Sequence, residues 1–570
     1  MSSGSALTFG ITLGWAGNAT NHWLTSIAKM TVPLFTLVLA CIALFAYRLS
    51  KIGRRPANYP PGPPTLPLIG NLHLMPKEKA HVQFQKWAQE YGPIYSLILG
   101  TKVMIVLNTD QAVKDLLDKR SGIYSSRPEM YIGQIASGGL RMLLMEYGST
   151  WRMIRKIVHN NLNIKAAKTY VPYQDLENKA MLMGLLETPE LFIDHINRYS
   201  NSLTTQMIFG FRTTSIHDPK LKQLYSGVAA FSEIIGTQTA AVLDLFPIFR
   251  SLPDILLPLR RYAKELHRKE SELYIGHWLR IKQAIKNGKA RPCFCVDLLR
   301  AQDEYGFSDA QAGYISGSML EAGSDTTAAT LLGFVQAMLL YPSVAKTAQE
   351  ELDRICGSRF PTLDDEPSLP YIRGCIKESL RWMPTAILGV PHAVTQDDEY
   401  MGYKIPKGAG VMWNVWAIHM DPARHPDPHR FDPSRYAADA QTAQEAAANP
   451  DPTKRDQFVF GAGRRLCQGM HIAERSLFLA IARLLWAFDV LPVKGGDGED
   501  VLPDAGNLTE GMLVHPKPFP ARIVPRSSDR VEKVKAEWEK MEHVLDEELQ
   551  WKVLPEGLIW KEYKQAAETV

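Results

Sequence analysis

The sequence predicts a mainly α chain of the α+β class, with a small β region and a single N-terminal transmembrane helix. Apolar residues recur at helical spacing through most of residues 109–290, and a second such pattern runs unbroken from Ser308 to Leu340. Only residues 95–107 read clearly as strand. The third observation is an uncharged run over residues 31–47. With 570 residues, 45% of them hydrophobic, the chain can close a large core. A net charge of +4 is too small to imply a nucleic-acid partner. Six scattered cysteines make no disulfide framework, and Cys293 and Cys295 lack the second pair a zinc site needs.

The uncharged run extends to 27–47 if Lys29 snorkels. Its 17 strictly uncharged residues give about 26 Å of helix, just short of the ~30 Å hydrocarbon slab. Arg48, Lys51, Arg54 and Arg55 follow it, and Lys29 alone precedes it. That asymmetry places the body in the cytosol and residues 1–26 in the lumen. It is also the wrong way round for a cleaved signal peptide. Asn18 begins a glycosylation sequon on the lumenal side, whereas the Asn507 sequon falls on the other side. Residues 48–70 read as a basic, then proline-rich hinge, semi-rigid because proline forbids regular structure.

Residues 95–107 predict a hairpin with Gly100 at the turn. Trp151 and Arg155, four apart, share one helix face, with Arg152 and Lys156 elsewhere on the same helix. Ser308 and Gln311 have capping-box spacing, and Tyr341-Pro342 ends the helix after 32 residues, about 48 Å. Inside it, Ala322-Gly-Ser-Asp-Thr-Thr327 violates helix propensity, a common mark of function. Thr326 is placed to bond the carbonyl of residue 322 and open the helix, and Asp325 offers a group for relaying protons. A helix-packing notch would explain the small residues but not the aspartate. Glu378 and Arg381 share a face three residues apart, and as an exposed pair would contribute about 0.5 kcal/mol. Residues 436–455 read as an exposed Ala/Gln-rich loop.

The chemistry concentrates in residues 460–469, Phe-Gly-Ala-Gly-Arg-Arg-Leu-Cys-Gln-Gly. A cysteine thiolate is the soft ligand that haem iron accepts. Holding one against a flat porphyrin needs glycines for close approach, an aromatic cover and a cation for a propionate. Gly461, Gly463, Gly469, Phe460 and Arg465 supply those parts around Cys467. The helix over 470–489 would carry Cys467 at its N-terminal edge, where N–H groups stabilise a thiolate. A glycine-rich turn around an ordinary buried cysteine is the plain alternative.

The spacing Phe-x-x-Gly-x-Arg-x-Cys-x-Gly resembles the haem-thiolate loop of the cytochromes P450 at every fixed position. The Trp151/Arg155 pair, the Asp325-Thr326 segment, Glu378-x-x-Arg381 and Pro433-Ser-Arg-Tyr436 follow in that family's order across residues 60–525. The resemblance implies a triangular, cytochrome P450-like helical body over 71–525, with residues 526–570 an extension beyond it. It implies haem b with Cys467 as the metal ligand, and Phe460, Gly463, Arg465, Gly469, Trp151, Arg155, His392 and Gly323 around the cofactor. Gly323 would clear room for the haem and O2, and Asp325 and Thr326 would be the catalytic pair. Glu378, Arg381 and Arg435 would form a structural set, although Ser434 replaces the more usual Glu and Arg430 is a rival for Arg435. In the extension, Val531, Val534, Trp538, Met541, Leu545 and Leu549 make an amphipathic face needing a partner: the body, the membrane or another chain.

The activity so implied is a membrane-anchored monooxygenase of the endoplasmic reticulum, inserting one atom of O2 into a hydrophobic small molecule. The chain looks most like fungal members that tailor secondary metabolites. It has no dinucleotide fingerprint or phosphate loop. Electrons would therefore come from NADPH-cytochrome P450 reductase, with cytochrome b5 as an optional second donor, docking near Arg152, Lys156 and Arg464. Two rivals stand beside this: a desaturase or ring-forming oxidase without net oxygen insertion, and a non-catalytic haem-binding protein, which would not need Asp325-Thr326. The expected pocket segments, 122–144, 209–246, 386–390 and 509–513, read only as apolar and roomy.

Overall fold

Helix Asp309–Leu340 crosses the middle of the molecule, and the rest is stacked around it. A computed structural model describes residues 36–558 and Tyr563. Ser308 caps the helix as expected, its side chain accepting from the Gln311 N–H at 3.1 Å. Helix Phe192–Phe209 packs on one side and Pro258–Lys286 on another. Two glycines permit the second approach. A Cβ on Gly317 would lie 2.2 Å from the Tyr274 ring, and one on Gly313 would lie 2.9 Å from Ile275. Helices Pro370–Trp382 and Met470–Ala487 close the largest core with the far half of the long helix, burying Phe334, Trp382 and Trp486 among aliphatic side chains.

The β part is as small as predicted. Strands Ile94–Leu99 and Lys102–Leu107 pair antiparallel with Gly100 at the turn, at φ +57°. Gly410–Trp413 joins them in parallel, and His392–Ala393 pairs with that strand to complete four. The hinge is clasped onto this sheet instead of spanning open space. Arg55 donates to the carbonyls of Gly62 and Pro63 and to the hydroxyl of Ser96, and the Ser96 N–H reaches the Pro61 carbonyl at 2.7 Å.

Residues 36–51 are helical, and the side chains of 36–48 are exposed. The earlier part of the 27–47 anchor, the 1–26 tail and Asn18 lie outside the described residues. Among the described residues no single helix is long and apolar enough to cross a membrane. Residues 436–455 are not the exposed loop expected. Ala443–Ala448 is a short helix with a Thr442/Glu445 capping box, and Ala443, Ala446 and Ala447 are buried. The Ala443 N–H donates to Glu474, which draws the alanine face onto the Met470–Ala487 helix. The extension lies on the body: helix Ser528–Glu542 packs against Val171–Glu187, and Lys179 pairs with Glu537 at 3.1 Å. Beyond it, Leu545 and Trp551 are buried beside Tyr173.

Candidate active site

The Cys467 loop is held from both ends by backbone geometry. Gly461 and Gly463 sit at φ +81° and +59°, a region where a side chain is strained. A Cβ on Gly463 would also lie 2.0 Å from the Leu117 carbonyl, so Gly463 is required twice over. Asp118 accepts from the Gly463 N–H at 2.7 Å. The Cys467 N–H donates to the Phe460 carbonyl at 2.8 Å and closes the loop. Gly469 departs from expectation: its φ is −85° and a Cβ there would meet only Cys467 Sγ, at 3.9 Å. What it supplies is space beside the sulfur. Burial raises the thiol above its ordinary range, while the Gly469 N–H, the Arg155 cation and the Met470 N–H favour the thiolate. This is the helix-edge setting the sequence predicted.

Cations without anions surround this loop. Arg465 Nε donates to the Ser125 carbonyl at 2.9 Å and Nη2 to that of Met145 at 2.6 Å, and the guanidinium lies 4.1 Å from the Trp151 ring centre. Arg155 reaches the Leu466 carbonyl and sits 5.8 Å from the same ring. Trp151 is itself buried. Arg127, a residue the sequence did not single out, donates to the carbonyls of Val390 (2.5 Å) and Pro391 (2.8 Å). Among the described residues none of these three arginines has a carboxylate partner within 4.0 Å. Burial lowers Arg155 to about 10, and burial with the neighbouring Arg155 lowers Arg465 to about 9. Buried beside them, His392 makes no well-formed hydrogen bond through either ring nitrogen, the Tyr124 backbone alone favouring its charged form. Burial, Arg127 and Arg465 hold it neutral, far below the usual histidine range. An anion bearing two or more oxygens is the missing partner.

On the long helix, the Thr326 hydroxyl donates to the Ala322 carbonyl at 2.7 Å, as its spacing predicted. The next two carbonyls are also taken by side chains. Ser200 donates to Gly323 at 2.8 Å and Tyr225 to Ser324 at 3.0 Å, so three successive carbonyls accept hydroxyls. Ser200 and Tyr225 come from two other helices and had no signal in the sequence. Gly323 differs from its expected role. A Cβ there would lie 2.7 Å from Thr204 Oγ1, so the glycine is a notch for helix Phe192–Phe209 and clears no cofactor space. Ala322, exposed and one turn before Thr326, lies on the open face instead. Burial raises the Asp325 carboxyl, His515 opposes the rise, and the Glu321 carboxylate adds to it.

Glu378 and Arg381 are not the exposed pair of the spacing estimate. Both are fully buried and joined in a fork, each contact 2.7 Å. Arg435 joins at 3.4 Å from Glu378 Oε1, whereas Arg430 takes part only through its carbonyl. Arg381 further donates to the carbonyls of His419 (3.0 Å) and Pro428 (2.8 Å). His419 accepts from the Phe458 N–H at 2.9 Å and bonds the Arg381 carbonyl through its other nitrogen, linking the clamp to the cysteine loop.

A family model described as Cytochrome P450 matches residues 60–521. The chain belongs to the cytochrome P450 family. It is 60% identical over 537 residues to the cytochrome P450 monooxygenase virE of Hypocrea virens, covering 94% of this chain and 98% of that protein. It is 54% identical to fogE of Aspergillus ruber, over 94% of this chain and all of that protein. Against fsoB of Humicola fuscoatra, identity is 51% over 93% and 98% of the two. All three relatives are fungal, as the sequence resemblance implied. A zebra fish cytochrome P450 solved with abiraterone shares the fold, with a TM-score of 0.60 at 23% identity over 78% of this chain and the whole of that one. This P450 is therefore a haem-thiolate monooxygenase. The orphaned His392, the three arginines without anions and the thiol beside two N–H groups fit a haem whose carboxylates face the cations and whose iron takes Cys467.

Proposed function

We propose that this P450 is an anchored monooxygenase that adds one oxygen atom to a hydrophobic small molecule, in a tailoring step of fungal secondary metabolism. Bound haem b supplies the iron at which O2 is activated. Cys467 would hold that iron, with Arg127, Arg155, Arg465 and His392 toward the propionates. The observation that carries the reading is the Asp325-Thr326 pair on the open face of the long helix. Thr326 commits its proton to the Ala322 carbonyl, which leaves its oxygen lone pairs to accept from water. Asp325, raised by burial, holds its proton to higher pH than an ordinary aspartate and can release it at the carboxyl.

The surface supports anchoring. The Gly53 N–H donates to the Gly100 carbonyl, and Gly100 lies against Phe246. The exposed apolar helix over 36–51 therefore shares a side of the body with Ile248 and Ile255, which are 77% and 76% exposed. An endoplasmic reticulum membrane with the body on the cytosolic side fits both. Arg152, Lys156 and Arg464 are exposed near the cysteine loop and offer a cationic face to NADPH-cytochrome P450 reductase, with cytochrome b5 a second candidate there.

The test uses three variants of the full chain. Cys467→Ala loses the thiolate-type ferrous–CO spectrum, and Cys375→Ala, buried in the main core, keeps it. Thr326→Ala keeps that spectrum but diverts NADPH from product to peroxide. Unchanged coupling in Thr326→Ala would sink the oxygen-insertion reading while leaving haem binding intact.

A further inference from the structure

Behind the Asp325 segment one buried arginine is shared between two carboxylates. Arg141, in the loop before helix Ser149–Leu162, is 2% exposed. It binds Glu270 of Pro258–Lys286 at 2.6 Å and, through its other nitrogen, Glu321 of the long helix. One cation cannot neutralise both carboxylates, so the more buried of them, Glu270, does best to keep a proton. Glu270 is placed for that, because its Oε2 is buried without a partner. Arg141, Glu321, Tyr314 and Tyr274 face it, and His267 bonds the Tyr314 hydroxyl at 2.6 Å. Burial, opposed by Arg141 and reinforced by Glu321, pushes Glu270 up to about 7.

The cluster connects outward and inward. Outward, Glu270 and Tyr274 line a cavity of about 210 Å³ between helices Pro219–Gly236 and Pro258–Lys286, with Gln223, Tyr262 and Lys269 exposed at its rim. That volume holds several waters. Inward, the Tyr274 hydroxyl is 3.5 Å from Glu321 Oε2, and Glu321 stands one helical turn before Asp325, on the same face. Asp325 in turn faces His515 and Tyr225. We propose that Glu270 and Glu321, held by Arg141, feed protons from this cavity to Asp325. The inference rests on the acid role given to Asp325 above. Glu321 takes the proton from Glu270, directly or through the Tyr274 hydroxyl, and passes it on to Asp325. Cavity water restores Glu270, Arg141 keeps its charge throughout, and nothing is oxidised or reduced.

The experiment uses the haem-loaded full chain with its reductase in microsomes, following NADPH oxidation against pH, and infrared spectra of the purified protein. Glu270→Gln and Glu321→Gln keep the thiolate spectrum but oxidise NADPH about 10- to 100-fold more slowly. The parent slows as pH rises through Glu270's titration near 7, and Glu270→Gln loses that dependence. Glu474 also holds its proton to about 7, so the readout is the parent-minus-Glu270→Gln difference spectrum: a protonated-carboxyl component titrates in it, and that component titrates lower in Glu321→Gln because a like charge has gone. Aspartate at either position restores part of the rate. Gln variants running at the parent's rate, or a difference spectrum without a titrating carboxyl component, overturn the proposal. So does a rate that falls in step with melting temperature in both Gln and Asp variants, since that marks a purely structural clamp. If Asp325→Asn slows the enzyme while the glutamate variants do not, the feed line fails and the acid reading stands. If Asp325→Asn has no effect, the acid reading fails first.

Discussion

Two clusters of buried arginine, both near the cysteine loop, differ in one respect. Arg381 is wholly buried with a bidentate carboxylate, and carbonyls and His419 complete its surroundings. Arg465, Arg155 and Arg127 are largely buried and hydrogen-bond to carbonyls, with no carboxylate, beside a histidine without a well-formed hydrogen bond on either ring nitrogen. Burial of charge is expensive in both places. The first cluster satisfies itself, so it is scaffold. The second leaves three guanidinium charges without a carboxylate, the setting that a bound anion would complete. Unpaired charge, and not burial as such, separates the two.

Removing a partner from the closed cluster should have the largest effect. Glu378→Ala strands the wholly buried Arg381 guanidinium and should cost about 3–5 kcal/mol of stability, read by urea unfolding of the haem-free protein. Retention of stability to within 1 kcal/mol or so would mean that the clamp is not scaffold.

Removing a cation from the open cluster should do the reverse. Arg465→Met leaves no charge stranded, so haem-free stability falls only by the two lost carbonyl bonds, about 1–2 kcal/mol. Haem affinity should drop by the loss of a charge-assisted bond, about 1.5–3 kcal/mol, or roughly 10- to 100-fold, measured by haem transfer to an acceptor protein. Equal losses in both assays would erase the distinction.

The smallest effect is in pH dependence, and it sharpens the comparison. His392 and His419 are both held neutral, far below the ordinary histidine range, chiefly by burial. Such a group contributes stability above its unfolded pKa of about 6.5, and that contribution is lost as pH falls below it. Each adds up to about 1.4 kcal/mol per pH unit to the slope. A haem carboxylate beside His392 would give it an acceptor, raise its folded pKa and remove its share of the slope; His419 already has both partners. The haem-bound protein should therefore lose stability less steeply between neutral and mildly acid pH than the haem-free one. His392→Phe should abolish the difference, and a difference that persists would place the acceptor elsewhere.

Much of the site was legible because its parts are local. The glycines at 461 and 463, the Ser308 cap and the Thr326 bond to residue 322 each depend on residues within a few positions, where spacing alone sets geometry. Glu378 and Arg381 were legible as a pair for the same reason, but their burial was not. Whether an ion pair three residues apart is exposed depends on what is packed over it, and here that is the 419–435 segment.

What the sequence by itself determined is therefore the cysteine loop, the long helix with its opened Ala322 carbonyl and the order of the motifs, all carried by short-range rules. Only the tertiary structure decided what converges from a distance. It brought Arg127 and His392 to the anion site, Ser200 and Tyr225 to the opened carbonyls, and Thr204 into the notch of Gly323. It also split the expected amphipathic face of the extension: Val534 enters the main core, Trp538, Met541 and Leu545 pack with Tyr173, and Leu549, beyond the helix end at Glu542, stays exposed. The physical reason is the same throughout. A side chain's chemistry is written in its identity, but its burial and its missing partners belong to the elements packed around it.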